Sequence, residues 1–322
     1  MKRICFYVIS ILCFFFISCK SQENIIDLSY NLSYYEASPY TKIYEVRSNS
    51  QKFKHLQPED KSNLAKLLED KDNYLWIKTN FTIPDKMKFR SLGLFIPQLR
   101  SANEVWLNGI YIGSSGDLPP YEFSSGFGAH YYFLQDRVLN FDKSNSLIIK
   151  VWPGPIGVIF DSIYITEAKT AQKKATLLTF FNSKVFLAFA ILLLFVTFYY
   201  ILLFFMQKNH PHNICYLMFS MVCFFSFIFL VPFFASEIPW INLNGVSYLT
   251  FIKIFLCCGG FITLYSVKSF IDFFIEVKRN RLKEVIRMSI LLSQITITFI
   301  QPDFQALVKT FPYILATIII QL

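Results

Sequence analysis

The chain has 322 residues, of which 54% are hydrophobic, 16% are charged and 37 are Phe. So large an apolar excess excludes a disordered chain and a water-soluble enzyme of ordinary composition. The net charge of +9 does not indicate nucleic acid, because residues 20–180 are nearly neutral, with 19 Lys/Arg against 17 Asp/Glu, while residues 181–322 carry 10 against 5 among long apolar runs.

That division predicts a water-soluble domain followed by a membrane domain. Lys2 and Arg3 precede an apolar stretch, Ile4 to Ile17, and polar Lys20-Ser21-Gln22 follows Ser18-Cys19. These proportions predict a secretory signal over residues 1–19, too short for a membrane span. Phe16-Ile17-Ser18-Cys19 resembles the bacterial lipoprotein cleavage box, which makes Cys19 a candidate for lipidation. Ordinary cleavage nearby and an uncleaved anchor remain open. Residues 20–180 hold no Cys, so the exported domain must rely on its core rather than on disulfides. Cys215, Cys223, Cys257 and Cys258 lie in apolar runs, and the last two lack the spacing of a metal or redox motif.

Period-2 alternation places strands at Thr41–Val46, Tyr74–Ile83, Ser91–Ile96, Glu104–Leu107 with Tyr111–Ile112, His130–Leu134, Leu147–Trp152 and Val158–Thr166. Asn108-Gly109 between two apolar stretches signals a type I′ hairpin, whose two central residues must tolerate positive φ. A short helix is expected over Lys61–Glu69. Many strands without alternating helices fit an antiparallel sandwich over residues 20–168. A polar linker, residues 169–184, then leads into the membrane domain, residues 185–322.

Val185 to Met206 is uncharged and long enough to cross about 30 Å of hydrocarbon. Ile214–Phe234 and Val246–Phe270 follow, the latter interrupted by Lys253, then a shorter run at Arg287–Ile300 and a partial fifth from Phe311. The fifth run stops at Leu322, so the sequence reads as truncated, a fragment or an interrupted gene. Export of the first domain would place Lys208 and the cluster Lys268, Lys278, Arg279, Arg281, Lys283 and Arg287 inside, in keeping with the positive-inside rule. Lys173, Lys174 and Lys184 run against it. Lys253 is expected to snorkel to the outer headgroups or to face a polar cavity. The carboxylates Glu237, Asp272, Glu276, Glu284 and Asp303 fall at loops or helix ends, which argues against a transporter.

Three segments carry a resemblance to known proteins. Tyr74-Leu75-Trp76-Ile77-Lys78-Thr79-Asn80-Phe81-Thr82-Ile83-Pro84, Glu104-Val105-Trp106-Leu107-Asn108-Gly109-Ile110-Tyr111-Ile112-Gly113 and Asn145-Ser146-Leu147-Ile148-Ile149-Lys150-Val151 resemble galactose-binding-like jelly rolls, non-catalytic sugar-binding domains in glycoside hydrolase family 2. Joined to the helices after an export signal, the order is similar to bacterial seven-transmembrane receptors with diverse intracellular signalling modules (7TMR-DISM). The resemblance covers about residues 70–322. It implies an all-β extracytoplasmic jelly-roll sandwich followed by an α-helical transmembrane domain, placed in the bacterial inner membrane. This chain departs from the family in its helix number and in carrying no output domain.

Jelly-roll sugar sites combine an aromatic platform with hydrogen-bonding loop residues. Gly116-Asp117-Leu118-Pro119-Pro120-Tyr121-Glu122 has that content: Asp117 and Glu122 would accept sugar hydroxyls and Tyr121 would stack. The same stretch also reads as a Pro-stiffened surface loop. His130 and Arg137 form a weaker candidate pair. Trp76, Trp106 and Trp152 read as core, and Asn108 as a turn residue. No catalytic constellation, cofactor or metal is expected. The expected function is a membrane sensor that binds an external ligand, such as a carbohydrate, and passes the signal through its helices. A membrane-tethered binding module without signalling is the alternative, and a transporter fragment a more remote one. Expected partners are membrane lipids and the external ligand, not nucleic acid, with a homodimer open.

Overall fold

The computed structural model describes residues 24–70, 73–99, 101–119, 128–153, 162–210, 213–235, 248–276, 281–302 and 304–321. The signal segment with Cys19, Tyr121, Glu122, the segment 236–247 and Lys278 with Arg279 lie outside the described residues.

Among the described residues, positions 24–167 hold ten strands: β1 (Ile26–Asp27), β2 (Ser33–Ala37), β3 (Lys54–His55), β4 (Tyr74–Phe81), β5 (Leu92–Ile96), β6 (Asn103–Leu107), β7 (Ile110–Ser115), β8 (His130–Leu134), β9 (Asn145–Val151) and β10 (Tyr164–Glu167). They make a six-stranded sheet of order β3-β2-β4-β9-β6-β7 and a four-stranded sheet of order β1-β10-β5-β8, and every pairing described is antiparallel. Alternate residues of both sheets meet in one core: Leu75 and Ile77 of β4 and Ile149 of β9 face Leu94 of β5, Leu134 of β8 and Ile165 of β10. Side chains at i and i+2 share a strand face, so this alternation buries one face of each sheet.

The expected hairpin is present. Asn108 has φ 54° and Gly109 φ 86°, the left-handed pair a type I′ turn requires. Asn108 does more than turn: its Nδ2 donates to the Val138 carbonyl (2.7 Å) and to Asn145 Oδ1 (2.8 Å), and its Oδ1 accepts from the Ser146 amide (2.9 Å).

The expected strand Thr41–Val46 is instead a short helix, α1 (Ile43–Ser48). Its sequence alternates, but Ile43 and Val46 also stand at i and i+3, one helical face. The outer face of the six-stranded sheet carries Trp76 and Ile148, and Val46 covers them in a second apolar cluster. Covering the buried Trp76 outweighs the strand propensity of six residues. The expected helix Lys61–Glu69 is two 3₁₀ turns, Pro58–Ser62 and Leu64–Leu67. Asn63 between them, at φ −156° and ψ 80°, breaks the helical path.

The linker is helical. α2 (Ala168–Thr179) leads through a π-helical segment, Phe180–Lys184, into α3 (Val185–Met206), and together these make a 39-residue helix, Ala168–Met206. α4 is Asn213–Phe234; α5 (Tyr248–Ile254), a π segment Phe255–Ile262 and α6 (Thr263–Phe274) form the next; α7 (Arg281–Ile300), α8 (Phe304–Lys309) and α9 (Phe311–Gln321) complete the described chain. Among the described residues, three helices are long and apolar enough to cross a membrane: Ala168–Met206, Asn213–Phe234 and Leu249–Phe274. This makes the chain a membrane protein. The fourth expected run is a 20-residue helix, α7, but its first two turns carry Arg281, Lys283, Glu284 and Arg287.

Lys253 is turned onto the end of α7. It is 8% exposed, and its ammonium donates to the carbonyls of Phe299 (3.1 Å) and Gln301 (2.5 Å) at the end of α7. Carbonyls at a helix C-terminus lack intrahelical partners and carry the negative end of the dipole, so a cation there satisfies both needs. The helical half also holds buried uncharged polar groups that a count of charges overlooks. Gln294 Nε2 donates to Thr317 Oγ1 (2.9 Å), and Thr298 Oγ1 to the Gln294 carbonyl (2.8 Å).

Candidate functional site

Three of the candidate ligand residues are described: Asp117, His130 and Arg137. Asp117 is exposed just beyond β7, and its proposed neighbours Tyr121 and Glu122 lie outside the described residues. His130 and Arg137 do not form a pair. His130 begins β8 and is buried, its Nε2 3.1 Å from the Leu99 carbonyl, to which the neutral Nε2–H tautomer donates. Burial pushes its imidazole below the usual range, an effect that the Leu99 hydrogen bond only partly offsets. Arg137 lies past the other end of β8, exposed, with Nε donating to Gln135 Oε1 (2.6 Å). Trp76 is buried beneath α1, its ring 5.4 Å from that of Trp106. Asn108 is held by its three side-chain hydrogen bonds and by its amide, which donates to the Ser146 carbonyl (2.8 Å).

A cleft that the sequence did not reveal lies at the β2 edge of the six-stranded sheet. Its volume is about 610 Å³, within the range of small-molecule sites. β2 supplies Tyr35 and Glu36, the segment before β3 supplies Lys52 and Phe53, β3 supplies Lys54, and Leu67, Glu69, Asp70 and Asn73 close the far wall. Tyr35 and Phe53 pack with ring centroids 5.7 Å apart, and the Lys52 ammonium stands 5.9 Å over the Tyr35 ring. Glu36 fixes the far wall by accepting from the amides of Glu69 and Asp70 and from Asn73 Nδ2, each at 2.9 Å. Burial opposes ionisation of Glu36, but those three donors and the nearby Lys54 outweigh it and hold the carboxyl below its usual range. Lys54 Nζ stands 3.7 Å from Glu69. β2, β3 and the 3₁₀ turns lie in sequence where no strand was read, because the segments are short and show no regular alternation.

A second candidate element is the seat of α2 on the four-stranded sheet. Ala171 and Ala175 are buried with Phe95 against Tyr131 and Tyr164. A Cβ on Gly93 would lie 3.1 Å from the Ala171 Cβ and 3.2 Å from the Ala168 Cα, tighter than ordinary contact, so the glycine in β5 favours this close approach of the helix. Polar contacts close both ends: the Ala168 amide donates to the Ser91 carbonyl (2.8 Å), Arg90 pairs with Glu167, and Thr179 Oγ1 accepts from the Ala129 amide (3.1 Å).

In the helical half, α6 and α7 are joined by a charged network. Arg287 Nη1 reaches Asp272 (2.9 Å) and Glu284 (3.3 Å), Lys268 lies 3.5 Å from Asp272, and the Tyr265 hydroxyl donates to Glu284. Two members of the basic cluster that suggested orientation are thus paired with carboxylates. Among the described residues, no group of three or more His, Cys, Asp or Glu could hold a metal ion.

No family model matches the sequence, and no curated protein matches it. Solved structures that resemble it in part include a β-glucuronidase from Ruminococcus gnavus in complex with a C6-substituted uronic isofagomine, at 13% identity and a TM-score of 0.35, over 46% of this chain and 30% of that one. Bacteroides uniformis β-glucuronidase 2 matches at 16% identity and a TM-score of 0.33, over 45% of this chain and 18% of that one. The chain therefore spans less than a third of these enzymes' length, and at such TM-scores the likeness carries no functional weight.

Proposed function

We propose that the chain is the sensing part of a membrane receptor, related to the bacterial seven-transmembrane receptors it resembles. Its β domain, a jelly-roll sandwich outside the inner membrane, captures a small polyhydroxylated ligand and passes the event inward through α2. The observation that carries this reading is mechanical: α2 is seated on the four-stranded sheet and is the beginning of the same 39-residue helix that forms the first candidate span. A ligand shifts such a system only by its differential affinity for two arrangements, so the sheet must hold α2 differently when the ligand is bound. The π segment Phe180–Lys184 is where the helix can take up that change, since π-helical turns are locally underwound and recur at functional sites.

Two places on the β domain suit a carbohydrate. The Asp117 loop is one. The β2 cleft is the other: aromatic Tyr35 and Phe53 lie beside an ammonium and a carboxylate, Lys54 and Glu69, between which a sugar hydroxyl can accept from one and donate to the other.

Hydrogen exchange on the full chain in lipid nanodiscs, with and without saturating lactose, cellobiose or maltose, tests the relay. The receptor reading expects protection changes in β2 or at Asp117 together with changes across residues 168–184. Changes confined to the β domain would support the tethered binding module and refute the relay, and no change with any sugar would refute the carbohydrate ligand.

A further inference from the structure

The sequence from Ala168 to Lys184 carries four lysines and no acid. Three of the four are exposed: Lys169, Lys173 and Lys184. Lys174 is turned to the protein, its ammonium 5.5 Å over the Tyr164 ring. The exposed lysines flank exposed apolar side chains, Leu177 (56% exposed), Phe180 (47%) and Phe181 (58%). The spacing of Lys169, Lys173, Leu177 and Phe180 runs in steps of four, four and three, which at about 100° per residue gives one helix face, and Lys184 lies about one wider π turn beyond Phe180 on the same side. It is the face opposite Ala168, Ala171 and Ala175, which are buried on the sheet side. The outer surface of this helix is therefore basic and apolar at once. It runs straight into the uncharged segment Val185–Met206.

We propose that this face is a binding surface for anionic phospholipid headgroups, and that it leans the β domain toward the leaflet on its own side. The proposal rests on the membrane reading of α3 but not on its orientation, because the surface meets whichever leaflet adjoins the β domain. Apolar and cationic side chains mixed on one helix face are the signature of helices held at a lipid interface, the rings entering the acyl boundary while lysine stems reach phosphates. Continuity with α3 selects the occupant. At 1.5 Å per residue, Lys184 stands at the edge of the hydrocarbon, Phe180 and Phe181 within about 8 Å of it, Lys173 about 18 Å and Lys169 about 24 Å away. The headgroup layer is only about 5–7 Å deep on each side. An upright helix would bring Lys184 alone into it, and a lean toward this face adds Lys173 and then Lys169. The contributions must therefore be graded along the helix.

The test uses the full chain extracted from vesicles of phosphatidylcholine and phosphatidylglycerol (3:1), with the lipids retained on the protein counted by native mass spectrometry. Phosphatidylglycerol should be enriched over its bulk fraction. Lys184→Gln should reduce that enrichment by about fivefold, the usual contribution of one lysine at an anionic surface, Lys173→Gln should reduce it less and Lys169→Gln least. Lys184→Arg should keep it, and Lys174→Gln should leave it unchanged. All of these except Lys174 are exposed positions, so misfolding does not confuse the result. Equal retention of the two lipids, enrichment that survives the triple Gln variant, or complete competition by millimolar inorganic phosphate, which marks a free-anion site, would each overturn the proposal.

Discussion

Ala171 of α2 lies directly over Gly93 of β5, so close that a Cβ on the glycine would sit 3.1 Å from the alanine's own. This contact joins the sandwich to the helix that becomes the first candidate span, and it depends on two small residues facing each other. Ala171→Leu should overpack it and cost about 1–3 kcal/mol. Gly93→Ala should cost less, because the nearest obstacle, at 2.6 Å, is the edge of the Tyr131 ring, which can swing. Thermal unfolding followed by the fluorescence of Trp76, Trp106 and Trp152 reads both variants. An unchanged melting curve for Ala171→Leu would mean that α2 is not seated on the sheet.

The buried His130 predicts a particular acid sensitivity. Its folded pKa is lowered, so between the unfolded value near 6.5 and that lower value the unfolded chain binds a proton that the folded chain does not. Stability of the β domain should fall as pH drops below about 6.5, by at most about 1.4 kcal/mol per pH unit from this group. Glu36 adds a second loss at lower pH: its lowered carboxyl stabilises the fold above about 4.5, and that contribution disappears as pH falls through the folded value. Melting curves from pH 7.5 to 5 should be flatter for His130→Leu than for the parent, whereas Glu36→Gln should be less stable than the parent throughout that range, with the difference shrinking only as pH falls below about 4.5. Parallel curves for His130→Leu would contradict the first assignment.

How much of this was legible in the sequence differs between the halves. The long strands and the spans were legible because period 2 and uninterrupted apolar runs are strong signals, and the Asn108-Gly109 turn because few residues tolerate its φ. α1 was not, since Ile43 and Val46 satisfy a strand and a helix pattern alike and only the outer face with Trp76 decides. β2 and β3 escaped because short strands near the margin of the sheet carry no clean alternation, and the cleft they border escaped with them. The partner of Lys253 could not be read because it is backbone at the end of α7, 46 residues away from the lysine. His130 looked like a ligand group because its residue type is polar, while its fate was set by the Leu99 carbonyl.

Two adjacent glycines in the π segment should behave oppositely. A Cβ on Gly259 would lie 2.6 Å from the Phe229 backbone Cα in α4, a contact that no side-chain rotation relieves, whereas Gly260 has nothing within 4 Å of such an atom. Gly259→Ala should lower the melting temperature of the helical half in detergent, and Gly260→Ala should leave it unchanged or raise it slightly by the better helix propensity of Ala. Equal effects of the two would contradict the close approach of α4 to this turn.

The Asp272–Arg287 pair between α6 and α7 is mostly buried, with side chains 24% and 14% exposed. A double-mutant cycle with Asp272→Ala and Arg287→Ala should return a coupling of at least about 1 kcal/mol, more than an exposed pair yields. Coupling near zero would show that Glu284 alone suffices to hold Arg287.

The central claim is that the sandwich stands in water on one side of a membrane and that α2–α3 carries the chain to the other. Cysteines introduced by Asp117→Cys and Lys208→Cys, exposed to a membrane-impermeant maleimide on intact spheroplasts, test it most directly. Labelling of position 117 before lysis, with position 208 labelled only after permeabilisation, is the predicted result. Simultaneous labelling of both on intact spheroplasts, or of 208 alone, would contradict the account.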